Sequence, residues 1–88
     1  MWWISFLEGG VFIVEASSLA HARMLAVLLG VGRVGHFAEG HFIDEERAAV
    51  VPQESIGRML SSHEARHIRD LFEARQGAND LKIEPGRQ

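Results

Sequence analysis

The fold is decided by residues 1–16, MWWISFLEGGVFIVEA. Two short runs of apolar residues stand on either side of Glu8-Gly9-Gly10. Aromatic and β-branched residues flanking a glycine-rich turn are typical of a β-hairpin. With a three-residue loop, Leu7 lies opposite Val11, and the side chains of the two strands then alternate between two faces.

Both faces of this hairpin are apolar, which is unusual for a small protein. A single helix covers only one face, so the other face needs a second covering layer, and large apolar patches left open usually mark interfaces. The sequence therefore predicts self-association through the hairpin or the helix that follows it. The predicted interface residues are Trp3, Leu7, Val11 and Ile13 of the hairpin with Met24 and Leu28 of the helix.

Composition limits the classes of protein that need to be considered. The chain has 88 residues, enough for one domain with one modest core. It contains no cysteine, which excludes disulfides, thiolate metal sites and thiol catalysis. The net charge is −3, so binding to nucleic acid through phosphate neutralisation is not expected.

Nothing in the sequence indicates a membrane segment or a signal peptide. The longest apolar run, near 19–34, is interrupted by His21, Arg23 and Arg33. The first residues carry no basic segment and include Glu8. We therefore expect a cytoplasmic protein that does not enter the membrane.

Two helices have clear start and stop signals. The first is predicted at about 18–29, with Ser17 or Ser18 as N-cap and Gly30 following its end. Its apolar side chains lie almost all round the cylinder, so it needs contacts on more than one side. The second is predicted at 62–76, because Ser61 and Glu64 form a capping box.

The middle of the chain carries weaker signals. Residues 31–37 and 41–43 flank Ala38-Glu39-Gly40 and suggest a second hairpin, in which His36 and His41 are directly opposed. Residues 48–51 suggest a short strand, and Pro52 suits the first turn of a short helix that reaches Leu60.

The order of these elements, roughly ββαββα, predicts a small two-layer α+β domain with a mainly antiparallel sheet. The domain spans 1–77, where Gly77 stops the last helix, and 78–88 form a tail. Within the tail, 81–84 have the pattern of an edge strand, followed by residues without regular structure. The last helix either covers the sheet or extends from it as an arm.

Residues 63–67, HEARH, match the H-E-x-x-H signature and resemble the motif of zinc metallopeptidases. In that motif two histidines one turn apart share a Zn²⁺ ion while the glutamate polarises a bound water. The resemblance implies His63 and His67 as ligands, and Asp70, one turn further on, would be the third.

This chain departs from the metallopeptidase pattern in two respects. No histidine or glutamate follows at a spacing typical of the third ligand, and Glu64 is also required by the capping box. The histidine face also lies opposite the apolar stripe of the helix, which favours a solvated surface. We therefore interpret the motif primarily as a capped surface helix.

A noncatalytic role is the leading functional hypothesis. The surplus of apolar surface favours a small interaction or regulatory protein, homodimeric and without a cofactor, whose partner is a second copy or another protein. The alternative is a zinc-binding protein or metal-dependent hydrolase that uses His63, His67 and Asp70. A third hypothesis is a small-ligand pocket between sheet and helix, lined by Trp2, Trp3 or Phe37.

Overall fold

A computed structural model of the chain describes the backbone of residues 1–86 and the side chains of residues 1–74. Four strands form one antiparallel sheet in the order β3-β1-β2-β4. The predicted α+β class with a mainly antiparallel sheet is confirmed, and the order is roughly the predicted ββαββα, with a short helix and a 3-10 turn between the last two strands. The elements are β1 (Trp2–Phe6), β2 (Val11–Val14), α1 (Leu19–Leu28), β3 (Phe37–Phe42), α2 (Glu45–Ala48), a 3-10 turn (Gln53–Ser55), β4 (Met59–Leu60) and α3 (Ser62–Gly86).

The first hairpin forms as predicted, but its register differs by two residues. Ser5 lies opposite Val11, where the three-residue loop had placed Leu7. The longer turn contains two glycines with positive φ, Gly9 at 95° and Gly10 at 90°, a conformation that glycine adopts without steric cost. Because side chains alternate with period two, this shift leaves every strand residue on its predicted face.

Both faces of the sheet are covered by the chain itself, which adds one layer to the two that were predicted. On one face, Ala22 and Ala26 of α1 pack against Ile4 and Phe12. The other face carries Trp3, Val11 and Ile13, and the second half of the chain covers it. The covering residues are Ile43, Val51, Leu60, Ala65 and Ile68.

The predicted second hairpin is wrong, because residues 37–42 form one continuous strand that pairs with β1. The Ser5 hydroxyl accepts from the Glu39 backbone N–H at 3.2 Å, and the side chain of Leu19 packs directly over Gly40. The free edge of β1 offers this segment a ladder of hydrogen bonds. A local turn at Ala38-Glu39-Gly40 would have left that edge unpaired.

The segment after β3 also differs from its prediction. Residues 48–51 are not a strand. The Asp44 carboxylate accepts from the Arg47 N–H at 2.9 Å and caps α2, which ends at Ala48, and the N–H groups of Val50 and Val51 then donate to the carbonyls of Arg47 and Ala48 in a turn. Pro52 precedes the 3-10 turn, and the predicted helix through Leu60 is replaced by strand β4. Here a capped helical turn and the turn that follows it outweigh the β propensity of two valines.

The two long helices begin where the sequence predicts. Ser18 caps α1 by accepting from the His21 N–H at 3.1 Å, and Gly30 follows its end with a φ of 75°. Ser61 and Glu64 form both bonds of the capping box, at 3.1 and 3.2 Å, confirming the start of α3.

The end of α3 differs from the prediction. The helix continues through Gly77 to Gly86, so the predicted stop at Gly77 and the edge strand at 81–84 are both wrong. A glycine inside a helix costs only about 1 kcal/mol, and a helix satisfies its own backbone without a partner strand. Residues 87–88 of the predicted tail lie outside the described residues. Among the helices described, none has the length and apolar character that crossing a membrane requires.

Candidate functional site

The structure places the three predicted metal ligands on the outer surface of α3. His63, His67 and Asp70 are all exposed. Within the described part of the chain, no three histidine or acidic side chains are grouped in a way that could hold a metal ion. Glu54, Ser55 and Arg58, from the segment before β4, line a shallow pocket together with His63 and His67.

Glu64, the glutamate of the motif, is engaged on both carboxylate oxygens. Arg58 Nη2 donates to Oε2 at 2.7 Å, and the Ser61 backbone N–H donates to Oε1 at 3.1 Å. The Arg58 hydrogen bond, followed by the one from Ser61, lowers the pKa of Glu64 to about 2. A carboxylate so stabilised is a weak base and is not free to polarise water, so its role in this fold is helix capping.

Arg58→Met should raise the pKa of Glu64 from about 2 towards its ordinary value of 4.5. Because the folded-state pKa is depressed, the pair stabilises the fold above about pH 4.5 and loses this contribution as the pH falls through about 2. The variant should therefore unfold at a higher pH on acidification. Carboxyl NMR titration measures the shift, with Arg47→Met on α2 as control. An unchanged Glu64 titration in Arg58→Met would contradict the assignment.

The predicted interface residues separate into two groups. Trp3, Val11 and Ile13 are buried inside the chain, so the prediction that they face a partner is wrong. The sequence did not show that Leu60, Ala65 and Ile68 of the same chain cover that side of the sheet. The other three predicted residues, Leu7, Met24 and Leu28, are exposed.

Met24 and Leu28 belong to an apolar groove on the outside of α1. The groove has a volume of about 520 Å³ and lies between the helix and the segment that leads into β3. Val34 and Leu28 project at its margin with 83% and 73% of their surface exposed. Its lining residues are Ala20, Arg23, Met24, Val27, Leu28, Val34 and Phe37.

Arg23 is the charged residue of this groove. Its guanidinium carbon lies 5.6 Å from the centre of the Phe37 ring, a cation–π arrangement. Its Nε atom is buried and has no hydrogen-bond partner among the described residues. The groove therefore offers apolar contacts together with a cation already placed over an aromatic ring.

His36 and His41 do not face each other, because the second hairpin on which that prediction depended is absent. His36 Nδ1 lies 3.1 Å from Glu8 Oε2, and His41 Nε2 lies 2.9 Å from Glu39 Oε2. The hydrogen bond with His36 lowers the pKa of Glu8 below its ordinary value. Each histidine is thus paired with a separate glutamate.

Sequence reasoning missed Val27 and Val34 as members of this apolar surface. The available signal was the apolar character of α1 on all sides, which required contacts beyond the sheet. For the small-ligand hypothesis, Phe37 lines the groove, whereas Trp3 is buried on the opposite face. Trp2 packs with Phe42 and the α1 cluster.

Comparisons with known proteins give no relative. No family model matches the chain, and neither the curated proteins nor the solved structures contain a significant match. The groove and the strand beside it are therefore interpreted from their own geometry and chemistry.

Proposed function

We propose that this chain is a small cytosolic interaction protein without catalytic activity, and that it acts as a homodimer joined through the outer face of α1. The observation that carries this proposal is the apolar groove along Met24, Val27 and Leu28. Surfaces of this kind, apolar and bordered by exposed aliphatic side chains, mark interaction sites in small proteins.

Burial of the exposed apolar surface favours association. Burying an exposed aliphatic side chain contributes about 1.5–3 kcal/mol. Met24, Val27, Leu28 and Val34 of each copy together offset an association cost of about 4–15 kcal/mol. The groove carries Arg23 as its charged residue, so a second copy brings few charges into contact.

Light scattering at high micromolar concentration tests the proposal directly. We expect a mass of twice the 9.8 kDa of one chain for the wild type, and of one chain for Leu28→Glu. Leu7→Glu is the matched control, because Leu7 is exposed to a similar extent, 68% against 73%, and lies outside the groove. This control should remain a dimer.

Two results would count against the proposal. A wild type that stays monomeric at high micromolar concentration would exclude the homodimer. A dimer that Leu7→Glu dissociates and Leu28→Glu does not would move the interface from α1 to the hairpin turn. Circular dichroism of each variant confirms that a change in mass is not a loss of fold.

A further inference from the structure

Strand β3 lies at the edge of the sheet, and its outer side is not paired with any described strand. The Glu39 N–H points towards β1, where it bonds to the Ser5 hydroxyl, and the Ile43 N–H bonds to the Met1 carbonyl. Backbone groups alternate in direction along a strand, so those of Gly40 and Phe42 point outwards. An open edge of this kind is a template for another strand.

The groove and an exposed aromatic side chain lie at opposite ends of this same strand. Phe37, the first residue of β3, lines the groove. Phe42, the last residue, is 60% exposed, and its ring stands edge-on to Trp2 with 5.4 Å between ring centroids. Trp2 packs with the α1 cluster, so Phe42 lies on the same face of the sheet as the groove.

We propose that two copies of this chain pair β3 with β3 in antiparallel orientation, with Gly40 on the two-fold axis. The inference rests on the proposed homodimer and specifies how it is built. A two-fold axis at Gly40 exchanges the two ends of the strand, so Phe42 of each copy meets the groove of the other. The interface is then self-complementary, as a symmetric dimer requires.

Hydrogen bonding and charge together select this register. When Gly40 lies opposite Gly40 of the second copy, the outward N–H and C=O groups of the two strands face each other and can form hydrogen bonds. It also places Glu39 of one copy opposite His41 of the other, on both sides of the axis. A shift of two residues in either direction keeps the hydrogen-bond pattern but sets Glu39 against Glu39 or His41 against His41. Two carboxylates directly opposed across strands repel each other, and either shift loses the two contacts between Glu39 and His41.

The same arrangement accounts for the α1 groove. The axis runs perpendicular to the sheet, so both copies of α1 lie on one face of a continuous sheet. Ala38 lies at the β-bulge between Phe37 and Glu39, and Phe42 of one copy meets this position of the other, beside Phe37 and the Arg23 guanidinium that lies over its ring. Arg23 then has a second aromatic ring within its reach, and the aliphatic margin of the groove is covered.

Single cysteines in a chain that has none test the register. In the proposed pairing Glu39 and His41 of different copies are non-hydrogen-bonded neighbours, with Cα atoms about 4.5 Å apart, close enough for a disulfide. Two Glu39 residues, or two His41 residues, are diagonal neighbours about 7–8 Å apart and too distant. Glu39→Cys and His41→Cys chains are oxidised separately and as an equimolar mixture, then compared on non-reducing gels.

We expect a cross-linked dimer in the mixture and none in either variant alone. Cross-linking of Glu39→Cys alone or His41→Cys alone would overturn the register. A dimer by light scattering that cross-links in no sample would overturn the β3 pairing while leaving association through α1 intact. A monomeric wild type would remove the proposed function and this inference together.

Phe42→Ala tests the contact with the groove by a second measurement. Because most of the Phe42 side chain is exposed in one chain, its loss should leave the monomer folded, as thermal melting of diluted protein can show. Deleting an aromatic anchor from an interface should weaken dimerisation about tenfold or more. An unchanged dimer dissociation constant would show that Phe42 lies outside the interface and would overturn the proposed docking.

Discussion

Ile13→Glu should unfold the chain, although Ile13 was predicted to face a partner. Ile13 is fully buried between the sheet and the second half of the chain. A carboxylate there has no described counter-charge, and burying an unpaired charge costs several kcal/mol in addition to the lost apolar contacts. Small domains are stable by only about 5–15 kcal/mol, so most of the stability should be lost.

Far-UV circular dichroism and amide NMR dispersion measure this effect at room temperature. Leu7→Glu introduces the same charge at an exposed position of the same hairpin and should leave the fold intact. If Ile13→Glu stays folded and becomes monomeric, this side of the sheet is open to a partner and α3 does not cover it. Comparing the two variants shows whether Ile13 lies in the core of one chain or at an interface between two chains.

Ile68→Ala should lower the free energy of unfolding by about 2–5 kcal/mol, the range for deleting a fully buried isoleucine side chain. Among the α3 residues whose side chains are described, Ile68 is the one buried most deeply against the cluster that contains Trp3 and Ile13. The sequence left open whether α3 covers the sheet or extends from it as an arm. A large loss of stability is expected only if α3 is a covering layer.

Urea denaturation gives the change from the shift of the midpoint at constant slope. Leu28→Ala removes an exposed side chain from α1 and should change stability by no more than about 0.5 kcal/mol. Because Leu28 lies in the proposed interface, the comparison is made at a concentration where the protein is monomeric. An Ile68→Ala midpoint equal to that of the wild type would identify α3 as an arm.

The starts of the two long helices, which depend on residues close in the chain, were predicted correctly. The caps at Ser18 and at Ser61 with Glu64 need only donors and acceptors within three positions, so sequence spacing is sufficient to find them. The capping box also accounts for the glutamate of the H-E-x-x-H match, since the Glu64 carboxylate is held by Ser61 and Arg58. Only the contribution of Arg58 could not be foreseen.

Features that depend on pairing between distant segments were predicted poorly. Residues 37–42 have the local pattern of a turn but form a strand, because β1 offers an unpaired edge. Residues 81–84 have the pattern of a strand but lie in a helix that satisfies its own hydrogen bonds. The local sequence does not show whether a strand elsewhere in the chain is available to pair with either segment.

The sequence by itself determined that the hairpin is apolar on both faces and that a second layer must cover it, since alternation of side chains is set by strand geometry alone. Only the tertiary structure decided that Leu60, Ala65 and Ile68 of the same chain provide that layer. The tertiary structure also decided that the apolar surface left exposed lies on α1, beside β3. The physical reason is that burial depends on which distant segments come together, and backbone periodicity does not encode that choice.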